Sequence, residues 1–144
     1  MNRTIKFRGK NLYNNEWIFG DLIQYESGEM AIFSKKLSQY GCEATEMFNR
    51  SKVETTTVGQ FTGLFDKNGN EIYEGDIVKF HFMTSSPSTT KLFPTAKFFG
   101  EIITNKYNQW AIFSDGMEIH IENAIKHGEI AGNIYDNPEL IKEE

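Results

Sequence analysis

Residues 58–80 read VGQFTGLFDKNGNEIYEGDIVKF, two apolar runs separated by a short polar segment that contains an Asn-Gly pair. Asn68 and Gly69 both tolerate a positive φ, and such a pair between apolar runs is the strongest short-range signal for a β-hairpin. The runs are rich in β-branched and aromatic residues, which favour strands. The stretch therefore predicts two antiparallel strands joined by a turn at 66–70, and it indicates an all-β protein.

Short runs of the same kind predict strands along most of the chain. They cover Thr4–Arg8, Glu16–Tyr25, Glu29–Ser34, Thr55–Phe65, Glu71–Phe82, Lys97–Thr104, Gln109–Ser114 and Met117–Ile121. Asp115-Gly116 predicts a second hairpin turn. Asp136 or Asn137 before Pro138 predicts one short C-terminal helix over 138–142.

Two segments lack this pattern. Residues 35–50 are polar and fit either a loop or a broken helix. Residues 83–97, MTSSPSTTKLFPTAK, contain seven Ser or Thr and two Pro, a composition that disfavours both strand pairing and burial. We expect a mobile loop there, with Leu92 and Phe93 as its apolar content.

Three short stretches recur in the same order in both halves of the chain. The pairs are Gly20-Asp21-Leu22-Ile23 with Gly75-Asp76-Ile77-Val78, Ala31-Ile32-Phe33-Ser34 with Ala111-Ile112-Phe113-Ser114, and Val58-Gly59-Gln60-Phe61 with Ala131-Gly132-Asn133-Ile134. The first two stretches start 11 residues apart in one half and 36 in the other. We attribute most of the difference to the loop at 83–97 and the strand after it.

Modules of about 60 residues are too small for a sandwich and suit a small barrel. We therefore predict two related SH3-like barrel modules that arose by internal duplication, residues 1–65 and 66–144. A shared core would fuse them, so they could also form one structural domain.

The chain has 144 residues and a formal net charge of −5, and the acidic excess lies in residues 101–144, which contain 3 Lys or Arg against 9 Asp or Glu. The first ten residues carry Arg3, Lys6, Arg8 and Lys10 and no acid. Nucleic-acid binding needs a broader basic face than one short strand provides. We interpret these alternating basic residues as lying on the solvent-facing side of an edge strand.

Composition also excludes several classes of protein. No apolar run approaches the roughly 20 residues of a membrane span, and the first residues lack the apolar core of a signal peptide, so we expect a cytoplasmic protein. The single Cys42 excludes an internal disulfide and a cysteine-rich zinc module.

Candidate catalytic and metal-binding residues are sparse. His81, His120 and His127 lack a metal-binding spacing, and no catalytic partners are visible near Cys42. The run from Asp66 to Asn70 begins like a calcium loop, but its glycine is at the fourth position instead of the sixth. We expect no metal and no cofactor.

Asp21 and Asp76 could form a carboxylate pair for acid–base catalysis. Because they occupy matching places in the repeat, a structural role in a turn explains both, and we expect no enzyme. A small hydrolase that uses either residue is the least favoured hypothesis.

The aromatic residues Trp17, Tyr73, Trp110 and Tyr135 leave two interpretations open. They could form a platform on which bases stack or a groove for a proline-rich peptide. They could equally fill the core, as large aromatics do in small barrels. Together with Leu92 and Phe93 they make up the candidate binding surface.

Three segments of the chain resemble the YopX family of bacterial phages and prophages. They are Ile5–Lys10 with Trp17 and Gly20-Asp21, then Thr57–Leu64 with Asp66–Gly69 and Ile72–Val78, and finally Gly132–Leu140. The resemblance implies a phage-encoded all-β protein with SH3-type barrels. It implies no activity and no catalytic residues.

These observations favour a non-enzymatic phage or prophage accessory protein that binds a host or phage protein. The alternative is a single-stranded nucleic-acid-binding protein that uses exposed aromatics and the Arg3–Lys10 strand, although the acidic charge disfavours it. We also expect a homo-oligomer, because unpaired barrel edges can add a strand from another copy.

Overall fold

The computed structural model describes four segments of the chain, residues 4–34, 49–82, 96–125 and 128–141. The predictions for residues 35–48 and 83–95 lie outside them, as do Cys42, Leu92, Phe93 and His127. The chain divides into two compact units, Met1–Gly63 and Leu64–Glu144.

The described residues confirm an all-β fold with little helix. The strands are β1 (Phe7–Lys10), β2 (Trp17–Gln24), β3 (Met30–Phe33), β4 (Lys52–Val53), β5 (Gly59–Phe65), β6 (Glu71–Tyr73), β7 (Asp76–Phe82), β8 (Ala96–Thr104), β9 (Trp110–Ser114), β10 (Met117–His120) and β11 (Glu129–Asn133). The helical elements include α1 (Ile121–Ile125) and 3-10 turns at Thr55–Thr57 and Pro138–Leu140.

These strands form two antiparallel sheets in the described part of the chain. The six-stranded sheet has the order β4-β3-β2-β1-β5-β6, and the five-stranded sheet has the order β10-β9-β8-β7-β11. Both predicted hairpins are confirmed. β5 and β6 flank the turn at 66–70, and Asp115 and Gly116 join β9 to β10 with φ values of 50° and 77°.

β1 lies between β2 and β5, so the prediction of an edge strand for the basic residues is wrong. Phe7 pairs with Gly20 on one side and with Gln60 on the other. A Cβ on Gly9 would lie 3.1 Å from the Cβ of Val53, a core residue. Since neighbouring residues of a strand face opposite sides, Lys6, Arg8 and Lys10 occupy the face of β1 turned away from this core.

The second unit has its own apolar core. It comprises Ile72, Val78, Phe80, Ile102, Ile112, Ile121 and Ile125, with Leu64, Phe98, Trp110, Ile119 and Ile130 packed against it. Phe80 and Phe98 stack with ring centroids 5.8 Å apart. α1 contributes to this core through its first and last residues.

Three sequence predictions need correction at the level of elements. The strand predicted over Thr55–Phe65 begins only at Gly59, because Thr55–Thr57 forms a 3-10 turn. The run 71–82 is not one strand, because a turn at Glu74-Gly75 separates β6 from β7. The predicted C-terminal helix over 138–142 is a 3-10 turn of three residues in the part of the chain that is described. Asn137 makes no side-chain cap there, because its Oδ1 accepts a hydrogen bond from the Asn133 N–H instead.

Strand pairing also corrects one of the sequence matches. Leu22 pairs with Ile32 in the first sheet, and Ile102 pairs with Ile112 in the same place in the second. By strand pairing, Gly100-Glu101 of β8 is therefore the counterpart of Gly20-Asp21 of β2. Gly75-Asp76, which the sequence match selects, is not. Gly100 precedes Ala111 by 11 residues, the same spacing that separates Gly20 from Ala31.

Candidate functional site

An open cleft with a volume of about 950 Å³ lies on the first unit. Its walls come from the residues just before β1, the turn that follows β1, β2, the end of β3 and the segment before β4. The lining residues are Thr4, Ile5, Lys6, Asn11, Tyr13, Asn14, Glu16, Trp17, Ile18, Phe19, Gly20, Asp21, Phe33, Ser34 and Arg50.

Several of the side chains that line this cleft are aromatic. Trp17 and Phe19 are two residues apart on β2 and so face the same side of the sheet. Tyr13 is 69% exposed and Phe19 44% exposed. Exposed rings at a concave surface are typical of a recognition site, because they provide large contact area with little loss of side-chain entropy.

Cations lie over these rings. The Arg8 guanidinium is 4.7 Å from the centre of the Trp17 ring, and the Lys10 ammonium is 5.6 Å from it. The Arg50 guanidinium is 5.5 Å from the centre of the Tyr13 ring. Tyr13 and Arg50 are both exposed, and a cation–π pair at an exposed site contributes about 0.5–1 kcal/mol.

The side chain of Asn11 places Tyr13 next to Arg50. Its Oδ1 accepts hydrogen bonds from the backbone N–H groups of Tyr13, at 2.8 Å, and Asn14, at 3.2 Å. Its amide nitrogen donates to the carbonyl oxygen of Arg50, and the Leu12 N–H donates to the Lys52 carbonyl at 2.9 Å. The turn after β1 is therefore tied to a segment that is distant in sequence.

The predicted binding residues that the structure describes are divided between the two units. Trp17 lines the cleft, whereas Tyr73, Trp110 and Tyr135 belong to the second unit. Tyr73 is 2% exposed, with its hydroxyl 3.1 Å from Glu71 Oε1, and Trp110 packs against the apolar core. These positions favour the interpretation of Tyr73 and Trp110 as packing residues.

Sequence reasoning missed Tyr13, Phe19 and Arg50. Tyr13 follows Asn11 in a polar turn, and Phe19 alternates with Trp17 along β2, a signal that could have identified it. Arg50 belongs to a segment that Asn11 and Leu12 hold beside the turn after β1. These contacts join residues that are distant in sequence, so no local pattern predicts Arg50.

The two carboxylates considered for catalysis, Asp21 and Asp76, lie in different environments. Asp21 is exposed and lines the cleft of the first unit. Asp76 is 2% exposed in the second unit, where its Oδ2 accepts a hydrogen bond from the Tyr73 N–H at 2.8 Å. That bond closes the turn between β6 and β7, as the structural interpretation of the Gly-Asp pair predicts.

A different acidic pair occurs in the second unit. Burial raises the pKa of Glu101, and the nearby charge of Glu74 raises it further. Among the described residues, no group of three or more His, Cys, Asp or Glu side chains is placed to hold a metal ion.

Comparisons with known proteins place the chain in a family. The YopX protein family matches residues 6–142. The chain also resembles the crystal structure of protein EF1440 from Enterococcus faecalis, with a TM-score of 0.52 and 21% sequence identity over 98% of this chain and 100% of that one. At this level of identity the likeness shows a shared fold alone. No curated protein matches the chain.

Within the described part of the chain, none of the helices has the length and apolar character that crossing a membrane requires.

Proposed function

The chain belongs to the YopX family, and on that premise we propose that it is a phage or prophage accessory protein that binds another protein without catalysing a reaction. It acts in the cytoplasm of a bacterial host, on a host or phage protein. The observation that carries this proposal is the cleft of the first unit, where exposed Tyr13 and Phe19 border a concave surface.

The proposed architecture is a pair of SH3-like modules related by duplication. The shared strand order supports this proposal, because β4-β3-β2-β1-β5 and β10-β9-β8-β7-β11 follow the same sequence of neighbours. A 3-10 turn precedes β5 and α1 precedes β11, so the element before the last strand is helical in both units. Five-stranded modules of this size commonly provide grooves for extended peptides.

Capture from lysate of phage-infected bacteria tests the function. The tagged wild type is compared with a cleft variant, Tyr13→Ser with Phe19→Ser, after nuclease treatment. The control variant, Tyr107→Ser with Phe113→Ser, removes rings of matched exposure from the second unit, 68% and 46% against 69% and 44%. We expect a specific protein that the wild type and the control retain and the cleft variant loses.

Other outcomes of this capture contradict the proposal. A partner retained equally by all three proteins excludes the cleft as the binding site. Enrichment that disappears on nuclease treatment favours single-stranded nucleic acid, a second candidate motivated by the cations over Trp17. That candidate predicts affinity that falls steeply with salt concentration.

We infer self-association through strand edges, since β10 and β11 are the two edge strands of the five-stranded sheet.

A hydrolase would require a catalytic carboxylate with a water-activating or proton-accepting partner. The buried, hydrogen-bonded position of Asp76 is instead that of a turn residue.

A further inference from the structure

The turn between β5 and β6 contains the only Asn-Gly pair in the chain, Asn68-Gly69. In such a pair the backbone nitrogen of the glycine can attack the side-chain amide carbon of the asparagine, because glycine has no side chain to obstruct the approach. The bond from that nitrogen to Cγ forms, the bond from Cγ to Nδ2 breaks, and ammonia leaves with the proton of the glycine N–H. Water then opens the resulting succinimide ring, which gives either aspartate or isoaspartate in place of the asparagine.

Burial does not protect this pair from the reaction. Asn68 and Gly69 are both exposed, and a Cβ at Gly69 would meet nothing within 4 Å. Water and hydroxide therefore reach both residues in the folded protein. Protection of the pair must come from the hydrogen bonds of the turn.

The hydrogen bonds of the turn engage both reacting groups. The Gly69 N–H donates to the carbonyl oxygen of Asp66 at 3.0 Å, so the nitrogen that would attack is directed toward Asp66. The side-chain amide of Asn68 lies 3.4 Å from Oε2 of Glu129 on β11. Attack therefore requires the Gly69 hydrogen bond to break and the Asn68 side chain to rotate.

Asp66 keeps the turn in this closed conformation. Its carboxylate accepts hydrogen bonds from the N–H groups of Asn68 and Asn70, both at 2.9 Å, and from the N–H group of Ile130 on β11 at 3.0 Å. Its own N–H donates to the Asn70 carbonyl oxygen at 2.9 Å. Opening the turn breaks several of these bonds together, so the open conformation has a low population.

We infer that Asn68 is a deamidation site that the closed turn protects, and that it is converted to aspartate or isoaspartate when the hydrogen bonds of Asp66 are broken. The inference concerns a covalent modification in the second unit, and it does not depend on the cleft of the first.

The modification also favours the open conformation of the turn. Conversion of Asn68 places a new carboxylate beside Glu129 and Asp66, and like charges repel each other. In isoaspartate the backbone runs through the former side chain and is longer by one methylene group. The N–H groups of the turn then no longer match the carboxylate of Asp66.

The turn at 105–109 provides a matched control, because it has the same hydrogen-bond pattern without an Asn-Gly pair. Asn105 Oδ1 accepts hydrogen bonds from the N–H groups of Tyr107 and Gln109 at 2.9 and 3.0 Å. The Asn108 N–H donates to the Asn105 carbonyl oxygen at 2.9 Å. Asn105→Ala therefore weakens a turn of the same kind elsewhere in the second unit.

The test incubates the wild type, Asp66→Ala and Asn105→Ala at mildly alkaline pH, both folded and in urea at a concentration that unfolds them. Peptide mapping by mass spectrometry measures the rate at which residue 68 is converted. We expect the folded wild type to react slower than the unfolded chain by roughly ten-fold or more. Asp66→Ala should lose most of this protection, whereas Asn105→Ala should keep it.

Equal rates in the folded and the unfolded wild type would overturn the inference. Equal acceleration by Asp66→Ala and Asn105→Ala would also overturn it, because it indicates a general loss of stability. If Asp66→Ala does not fold, the wild type is incubated at urea concentrations below its unfolding transition. A rate that changes little with urea indicates local opening of the turn and supports the inference. A rate that follows the globally unfolded fraction contradicts it.

Discussion

Gly20 sets how closely β2 and β3 approach. A Cβ at this position would overlap the carbonyl oxygen of Phe33 and lie 2.8 Å from its carbonyl carbon. Gly100 has the same place in the second unit, where a Cβ would lie 3.3 Å from the carbonyl oxygen of Phe113. The Gly-Asp pair was singled out in the sequence, but the physical requirement is for the glycine.

Gly20→Ala should therefore destabilise the protein strongly. Because the obstructing atoms are backbone, the strands must move apart, and we expect a loss of about 3 kcal/mol in the free energy of unfolding. Gly28→Ala is the control, since a Cβ there meets nothing within 4 Å and the cost is that of a positive φ alone, about 1 kcal/mol. Urea unfolding measures the free energy of unfolding of both variants. Equal losses in Gly20→Ala and Gly28→Ala would contradict the claim that β2 and β3 approach too closely at Gly20 for a side chain.

Asp66 links the turn between β5 and β6 to β11. Asp66 is 6% exposed, and its oxygens accept hydrogen bonds from the N–H groups of Asn68, Asn70 and Ile130 at 2.9, 2.9 and 3.0 Å. Burial raises the pKa of Asp66, but these bonds and one from the Asn70 side chain together outweigh it, so the pKa lies below its usual value.

Acid should weaken this connection. A carboxyl group with a lowered pKa in the folded state stabilises the fold above its unfolded pKa, about 3.9, and loses that contribution as the pH falls through the folded pKa. Asp66→Asn should be about 2 kcal/mol less stable at neutral pH. Its free energy of unfolding, measured by urea titration at a series of pH values, should fall less than that of the wild type below about pH 4. Parallel curves would show that Asp66 does not contribute to the acid dependence.

The hairpins and most of the strands were predictable, whereas β4 and β11 were not, for a physical reason. Both turns contain residue types that tolerate a positive φ, and Gly69, Asp115 and Gly116 adopt one here. β4 has two residues that pair with Met30 and Ala31, and β11 has a register shift between Ile130 and Gly132. β4 lacks the length of an independent strand and the bulge in β11 interrupts its alternation, and each is formed by pairing with residues distant in sequence.

The cleft was predictable only in part for the same reason. Trp17 could be identified by its size and its position on a strand. The sequence around it, however, does not predict that Arg50 also lines the cleft. The alternating cations of β1 were predicted to face solvent at an edge. Since β2 and β5 flank that strand, Arg8 is instead 7% exposed and packed over Trp17. Charge alternation alone cannot distinguish these two environments.

At the scale of the whole molecule, each unit carries one of the two tryptophans, Trp17 in the first and Trp110 in the second. Trp17 lines the cleft, whereas Trp110 packs against the core of the second unit. Tryptophan fluorescence therefore reports on the two units separately once one indole is removed.

The most direct test of the cleft is a fluorescence titration of Trp110→Phe, in which Trp17 is the reporter, with a linear peptide selected from a displayed random library on the immobilised wild type. The same titration of Trp17→Phe, in which Trp110 is the reporter, is the control. If an extended segment binds along β2, the emission of Trp17 changes in a saturable manner and that of Trp110 stays constant. A saturable change at Trp110 with constant Trp17 emission would contradict the account and place binding on the second unit.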